Sequence, residues 1–105
     1  MDPLKDSVYV KVSNVRGERL VAICDEELLG KKVHDKKRDL TIHVNEYFYK
    51  GERMNATEAV DLLKSATIAN LTGKKIVQHA IKAGFIKQDA VAVIAGVPHA
   101  QIVRM

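Results

Sequence analysis

The sequence predicts a small α+β domain: a mostly antiparallel sheet of about five strands, packed against two helices and closed by a C-terminal β-hairpin. Three observations carry this expectation. Val8, Val10 and Val12 alternate with Tyr9, Lys11 and Ser13, which is the period of a half-buried strand. Ile76, Val77, Ala80 and Ile81 recur at helical spacing opposite Lys74, Lys75, Gln78, His79 and Lys82. Finally, Gly96-Val97-Pro98 turns the chain into the apolar residues 100–103, a terminal strand expected to pair with residues 90–95 just before it. With 105 residues, 47% of them apolar and only 5% aromatic, residues 1–105 are read as a single domain with an aliphatic core.

Each element has its own local reason. After the first strand, Asn14-Val15-Arg16-Gly17 is turn chemistry, and residues 20–24 form a continuous apolar run suited to a strand buried on both faces. Asp25-Glu26-Glu27-Leu28-Leu29-Gly30 reads as one helical turn, with acidic residues at its positive end and Gly30 in the left-handed closing position. Residues 31–38 hold five basic residues in eight and are expected to be a solvated loop. Leu40, Ile42 and Val44 alternate with Thr41 and His43 to give a third strand, and residues 45–51, with Tyr47, Phe48 and Tyr49, follow as a turn or short helix. Asn55-Ala56-Thr57-Glu58 resembles a capping box, opening a helix expected to reach about Ala66. Residues 67–71 are read as a connection to the second helix, which is N-capped by Thr72 or Gly73 and closed by Gly84.

Composition limits the function classes. The longest apolar runs are far too short to span a bilayer, and residues 1–6 hold no apolar segment of an export signal, so a cytoplasmic location is expected. A lone cysteine, Cys24, excludes an internal disulfide framework, and no Cys-x-x-Cys occurs. The net charge of +4 is uneven: residues 73–105 carry Lys74, Lys75, Lys82, Lys87 and Arg104 against Asp89 alone. An electropositive side of this kind suits a polyanionic partner.

Three motifs stand out: Cys24-Asp25-Glu26, Ala69-Asn70-Leu71-Thr72-Gly73 and Pro98-His99-Ala100-Gln101. In this order they resemble domain-of-unknown-function family 424, an uncharacterised archaeal family. The resemblance implies an archaeal cytoplasmic protein, assigns no activity, and directs attention to Cys24, Asp25, Glu26, Asn70, Gly73, Pro98, His99 and Gln101.

Several site chemistries are open to these residues. A polar cleft where the strand ending at Cys24, the connection holding Asn70 and the bend holding His99 meet would bring Asn70, Gly73, His99 and Gln101 to a ligand. Within it, Cys24 and His99 would form a thiol and base pair, with Asp25 or Asn70 orienting the imidazole. Cys24, Asp25 and His99 with His34 or His43 are conceivable metal ligands, but their spacing gives no support, and neither a metal nor another cofactor is expected. Thr72-Gly73-Lys74-Lys75 joins free N–H groups at a helix start to two lysines, which suits phosphate without being a P-loop. The leading expectation is a non-enzymatic module binding RNA or an RNA-bound protein assembly. Lys74, Lys75 and Lys82 would supply charge, together with the basic residues 31–38 and the Tyr47–Tyr49 aromatics. The alternatives are a small enzyme using Cys24, Asp25 and His99, and a protein-interaction subunit using the terminal hairpin as an open sheet edge.

Overall fold

The computed structural model describes residues 6–104. Met105, the last residue of the terminal run, and residues 1–5, most of the stretch read as lacking an export signal, lie outside them. The strands are β1 (Ser7–Val15), β2 (Glu18–Asp25), β3 (Lys32–Asp35), β4 (Leu40–His43), β5 (Glu52–Asn55), β6 (Ile68–Thr72), β7 (Ala92–Ile94) and β8 (Val97–Val103). The α-helices are α1 (Glu46–Tyr49), α2 (Ala56–Asp61) and α3 (Lys74–Lys82), with short 3-10 turns at Glu26–Leu28, Leu62–Ser65 and Gln88–Ala90. Six strands form one sheet in the order β5-β1-β2-β6-β8-β7, while β3 and β4 pair separately. The α+β class holds, but the expected five strands and two helices become eight strands and three α-helices among the described residues. The large sheet is mixed, because β2 and β6 run parallel.

The apolar alternation explains the layering. Val8, Val10, Val21, Ile23, Ala69, Leu71 and Ala100 face α2 and α3, where they enclose Ala59, Val60, Leu63, Ile76, Val77 and Ala80. Burying each of the larger aliphatic side chains contributes about 1.5–3 kcal/mol relative to exposure. The opposite face is covered mainly over β1 and β2, by a smaller cluster of Ala22, Cys24, Val44 and Tyr49, with Tyr49 reaching Thr72 on β6. Buried on both sides, β2 is the continuous apolar run that its sequence predicts.

Four expectations are corrected. Residues 31–38 are not a loop throughout: β3 pairs with β4, and Asp35 Oδ1 accepts the N–H groups of Lys37 (3.0 Å) and Arg38 (3.2 Å), so the basic residues occupy a hairpin and its tip. Residues 67–71 are not a connection throughout: from Ile68 they form β6, in the interior of the sheet between β2 and β8. The terminal strand makes two partners: Val97–His99 pairs with β7 across the Ala95-Gly96 turn, and residues 99–103 pair with β6. Both turn residues have positive φ, 52° and 80°, the backbone of a tight hairpin. The helix expected to reach about Ala66, α2, stops at Asp61 and tightens into the 3-10 turn Leu62–Ser65.

Candidate functional site

Side chains along β6 and β8 alternate between the two faces of the sheet. Ala69, Leu71 and Ala100 enter the core, so Asn70, Thr72, His99 and Gln101 stand together on the other face. Thr72 is paired with His99 and Asn70 with Gln101 across the two strands. Gln101 Nε2 donates to Asn70 Oδ1 at 2.9 Å, and Thr72 Oγ1 lies 2.9 Å from His99 Nδ1. Thr72 Oγ1 also lies 3.0 Å from the Tyr49 hydroxyl, giving a continuous chain Tyr49–Thr72–His99.

Helix α1 and strand β4 wall this face. Asn45 Oδ1 accepts the Tyr47 N–H at 2.7 Å and so starts α1. The helix turns Tyr49 inward, while Tyr47 stays 85% exposed and Phe48 40% exposed. Phe48 meets Tyr49 edge to face, with ring centroids 4.9 Å apart. Lys11 Nζ sits 4.4 Å from the centre of the Tyr47 ring and hydrogen-bonds its carbonyl. Between these walls and the sheet lies an open groove of about 590 Å³, bordered by Ile42, His43, Tyr47, Asn70, His99 and Gln101. The β3–β4 hairpin packs against β7, and Asp35 Oδ2 accepts the Ala95 N–H at 3.1 Å, which ties the basic hairpin to the turn between β7 and β8.

The residues suggested for catalysis are not brought together. Cys24 is fully buried beside Ala22, Val44 and Tyr49, and burial, reinforced by the Asp25 charge, pushes its thiol up to about 12. A thiol in that range is protonated and unreactive at neutral pH. Thr72 stands between Cys24 and His99, two strand spacings or roughly 10 Å across the sheet. Asp25 points to the α3 face, where Oδ2 accepts the Lys75 N–H (2.9 Å) and Oδ1 accepts the Ile76 N–H (3.0 Å). Burial raises its pKa, with those two donors pulling the other way. Asp25 is therefore the cap of α3, supplied from a neighbouring strand in place of the expected Thr72 or a Gly73-led cap.

Gly73 lies against this carboxylate and away from the groove: its φ is 124°, and a Cβ there would come 2.3 Å from Asp25 Cγ. The anion site suggested for Thr72-Gly73-Lys74-Lys75 is thus already filled by Asp25. Lys74 and Lys82 are exposed on α3, and Lys75 pairs with Glu27 at 3.4 Å. All three lie on the helix layer, behind the sheet as viewed from the groove. Asn70, His99 and Gln101 do meet, and Tyr49 and Thr72 join them without having been singled out for this role. The sequence signal for Thr72 was available in its strand spacing from Asn70, once residues 68–72 are read with period 2.

Residues 13–105 match the family described as "Protein of unknown function (DUF424)". The chain belongs to this family. The DUF424 match covers all of the Asn70 and His99 motifs and therefore the whole polar side of β6 and β8. Among solved structures, the chain is similar to an uncharacterized conserved protein from Methanopyrus kandleri, with a TM-score of 0.79 and 26% identity over 94% of each chain. No curated protein matches. No described helix is long and apolar enough to cross a membrane.

Proposed function

We propose that this DUF424 protein is a non-enzymatic module that binds single-stranded RNA, alone or within an RNA-bound protein assembly, through the groove on the open face of β6 and β8. The observation that carries the reading is the composition of one surface. Exposed Tyr47 and Phe48 stand beside the amides of Asn70 and Gln101 and the imidazoles of His43 and His99. Unstacked bases are held by aromatic faces and read by side chains of these kinds at their edges. Lys31, Lys32, Lys36, Lys37 and Arg38 on and beside the β3–β4 hairpin supply cations for the phosphates next to the groove. Lys74, Lys75 and Lys82 form a second basic surface behind it, which attracts a polyanion over distance without touching the bases.

The same geometry offers less to the alternatives. With the Cys24 thiol protonated in the core and Asp25 committed to α3, neither meets His99, and the hydroxyl that does, on Thr72, is fully buried and shared with Tyr49. The outer strand of the terminal hairpin, β7, is three residues long and has the β3–β4 hairpin against it, a poor template for strand addition.

The test is fluorescence anisotropy with a labelled single-stranded RNA at low salt. Wild-type protein is expected to bind, and Tyr47→Ala with Phe48→Ala to weaken binding by about 1–3 kcal/mol per stacked base. No RNA binding by wild type, or unchanged binding by the double variant, would exclude the groove as an RNA site.

A further inference from the structure

The direction of the hydrogen bonds in the Tyr49–Thr72–His99 chain follows from counting protons. Thr72 has no exposed surface and Tyr49 is 6% exposed, so each hydroxyl proton needs an acceptor inside the protein. Among the described residues, the hydrogen-bond partner of the Tyr49 hydroxyl is Thr72 Oγ1, and the side-chain partners of Thr72 Oγ1 are Tyr49 and His99 Nδ1. If His99 carried its proton on Nδ1 and donated it to Thr72, a buried hydroxyl proton would be left over at Tyr49 or at Thr72. One arrangement leaves none over: Tyr49 O–H donates to Thr72 Oγ1, and Thr72 O–H donates to His99 Nδ1. The imidazole proton then sits on Nε2. Burial lowers the His99 pKa and keeps the ring neutral, which suits Nδ1 as an acceptor.

Beside His99, the Asn70–Gln101 pair uses one donor and one acceptor on itself. At the groove the pair retains the acceptor Gln101 Oε1, the donors on Asn70 Nδ2 and the second N–H of Gln101 Nε2. His99 and Gln101 are next neighbours on one face of β8, about 6.8 Å apart along the backbone, a gap that the long Gln101 side chain can close so that both groups reach one base. Resting on the RNA reading above, we propose that Tyr49 and Thr72 act as positioning residues that hold His99 as an Nε2–H donor. With His99 Nε2–H and Asn70 Nδ2–H as donors and Gln101 Oε1 as acceptor, the groove selects the base whose edge has two carbonyls flanking an N–H, uracil. Cytosine and adenine present an amino donor where the pattern needs a carbonyl.

Two measurements test this. Long-range proton–nitrogen NMR of the imidazole at pH 7.5 is expected to show His99 protonated at Nε2 in wild type, with Thr72→Val, which removes the donor to Nδ1, shifting the ring toward a mixture of tautomers. An Nδ1–H ring in wild type would overturn the proposal. Binding is compared for oligouridine, oligocytidine and oligoadenosine of equal length. Wild type is expected to prefer oligouridine by about tenfold, and Thr72→Val and Gln101→Ala to reduce that preference to about twofold or less. Equal binding of the oligomers, or a preference for cytosine or adenine, would overturn the base selection while leaving RNA binding in place. Failure to bind any oligomer would overturn both the RNA reading and the base selection, with the NMR signal still deciding the state of His99.

Discussion

At the scale of single residues, a tight steric constraint joins Asp25 to Gly73. The Asp25 carboxylate satisfies two of the N–H groups that α3 would otherwise leave open, and the chain clears that carboxylate because residue 73 has no side chain. Gly73→Ala meets both obstacles at once: a Cβ within 2.3 Å of Asp25 Cγ and a φ of 124°. It is expected to cost about 3 kcal/mol or more, whereas Asp25→Ala removes the cap without a clash and is expected to cost about 2 kcal/mol. Urea unfolding of the two variants checks the order; equal stability of Gly73→Ala and wild type would show that the carboxylate yields freely. Asp25 and Gly73 were visible in the sequence as motif residues, but their role was not. A carboxylate after a buried strand reads as readily as a catalytic group, and only the fold reveals the helix end that it meets fifty residues later.

At the scale of elements, the strands with the clearest pattern were those with one uniformly apolar face or two. The first strand and the run into Cys24 were legible on that ground, as was α3 with its apolar stripe. Strand β6 was not, although it is interior, because its groove face carries Asn70 and Thr72 and its core face alternates Ala69 with Leu71. A half-polar interior strand has the composition of a connection. Residues 31–38 misled for the opposite reason: the charges belong to a two-stranded hairpin that has little core of its own and is held by β7, Asp35 and the chain flanking it. The terminal strand was legible as a strand, and its position explains more than its pattern does. It borders β6 on one side and β7 on the other, and it carries His99 and Gln101. Deleting residues 100–105 is therefore expected to leave the core edge of β6 unpaired and to unfold or aggregate the protein. A truncated chain that keeps its melting temperature and far-UV spectrum would mean that β6 is held without this pairing.

At the scale of the whole molecule, the sheet separates two basic surfaces that the sequence could only add together. Lys74, Lys75 and Lys82 lie with α3 over one face, and the β3–β4 hairpin lies beside the groove on the other. On the proposed reading, a short single strand seated on Tyr47 and Phe48 would reach the second surface and not the first. Charge near the bound backbone releases counterions and sets the salt slope, while more distant charge acts through a field that salt screens within about 10 Å at 0.1 M. Replacing Lys36, Lys37 and Arg38 with Ala is therefore expected to weaken RNA binding across sequences and to flatten the slope of log affinity against log salt, by about 0.7 for each phosphate that is no longer neutralised. Replacing Lys74, Lys75 and Lys82 is expected to slow association at low salt with little change in that slope. Lys75 is in part already neutralised by Glu27, and Ala preserves the helix. If the α3 variant loses the slope and the hairpin variant keeps it, the nucleic acid runs across the helix layer, and the groove on the open face of β6 and β8 is not where RNA binds.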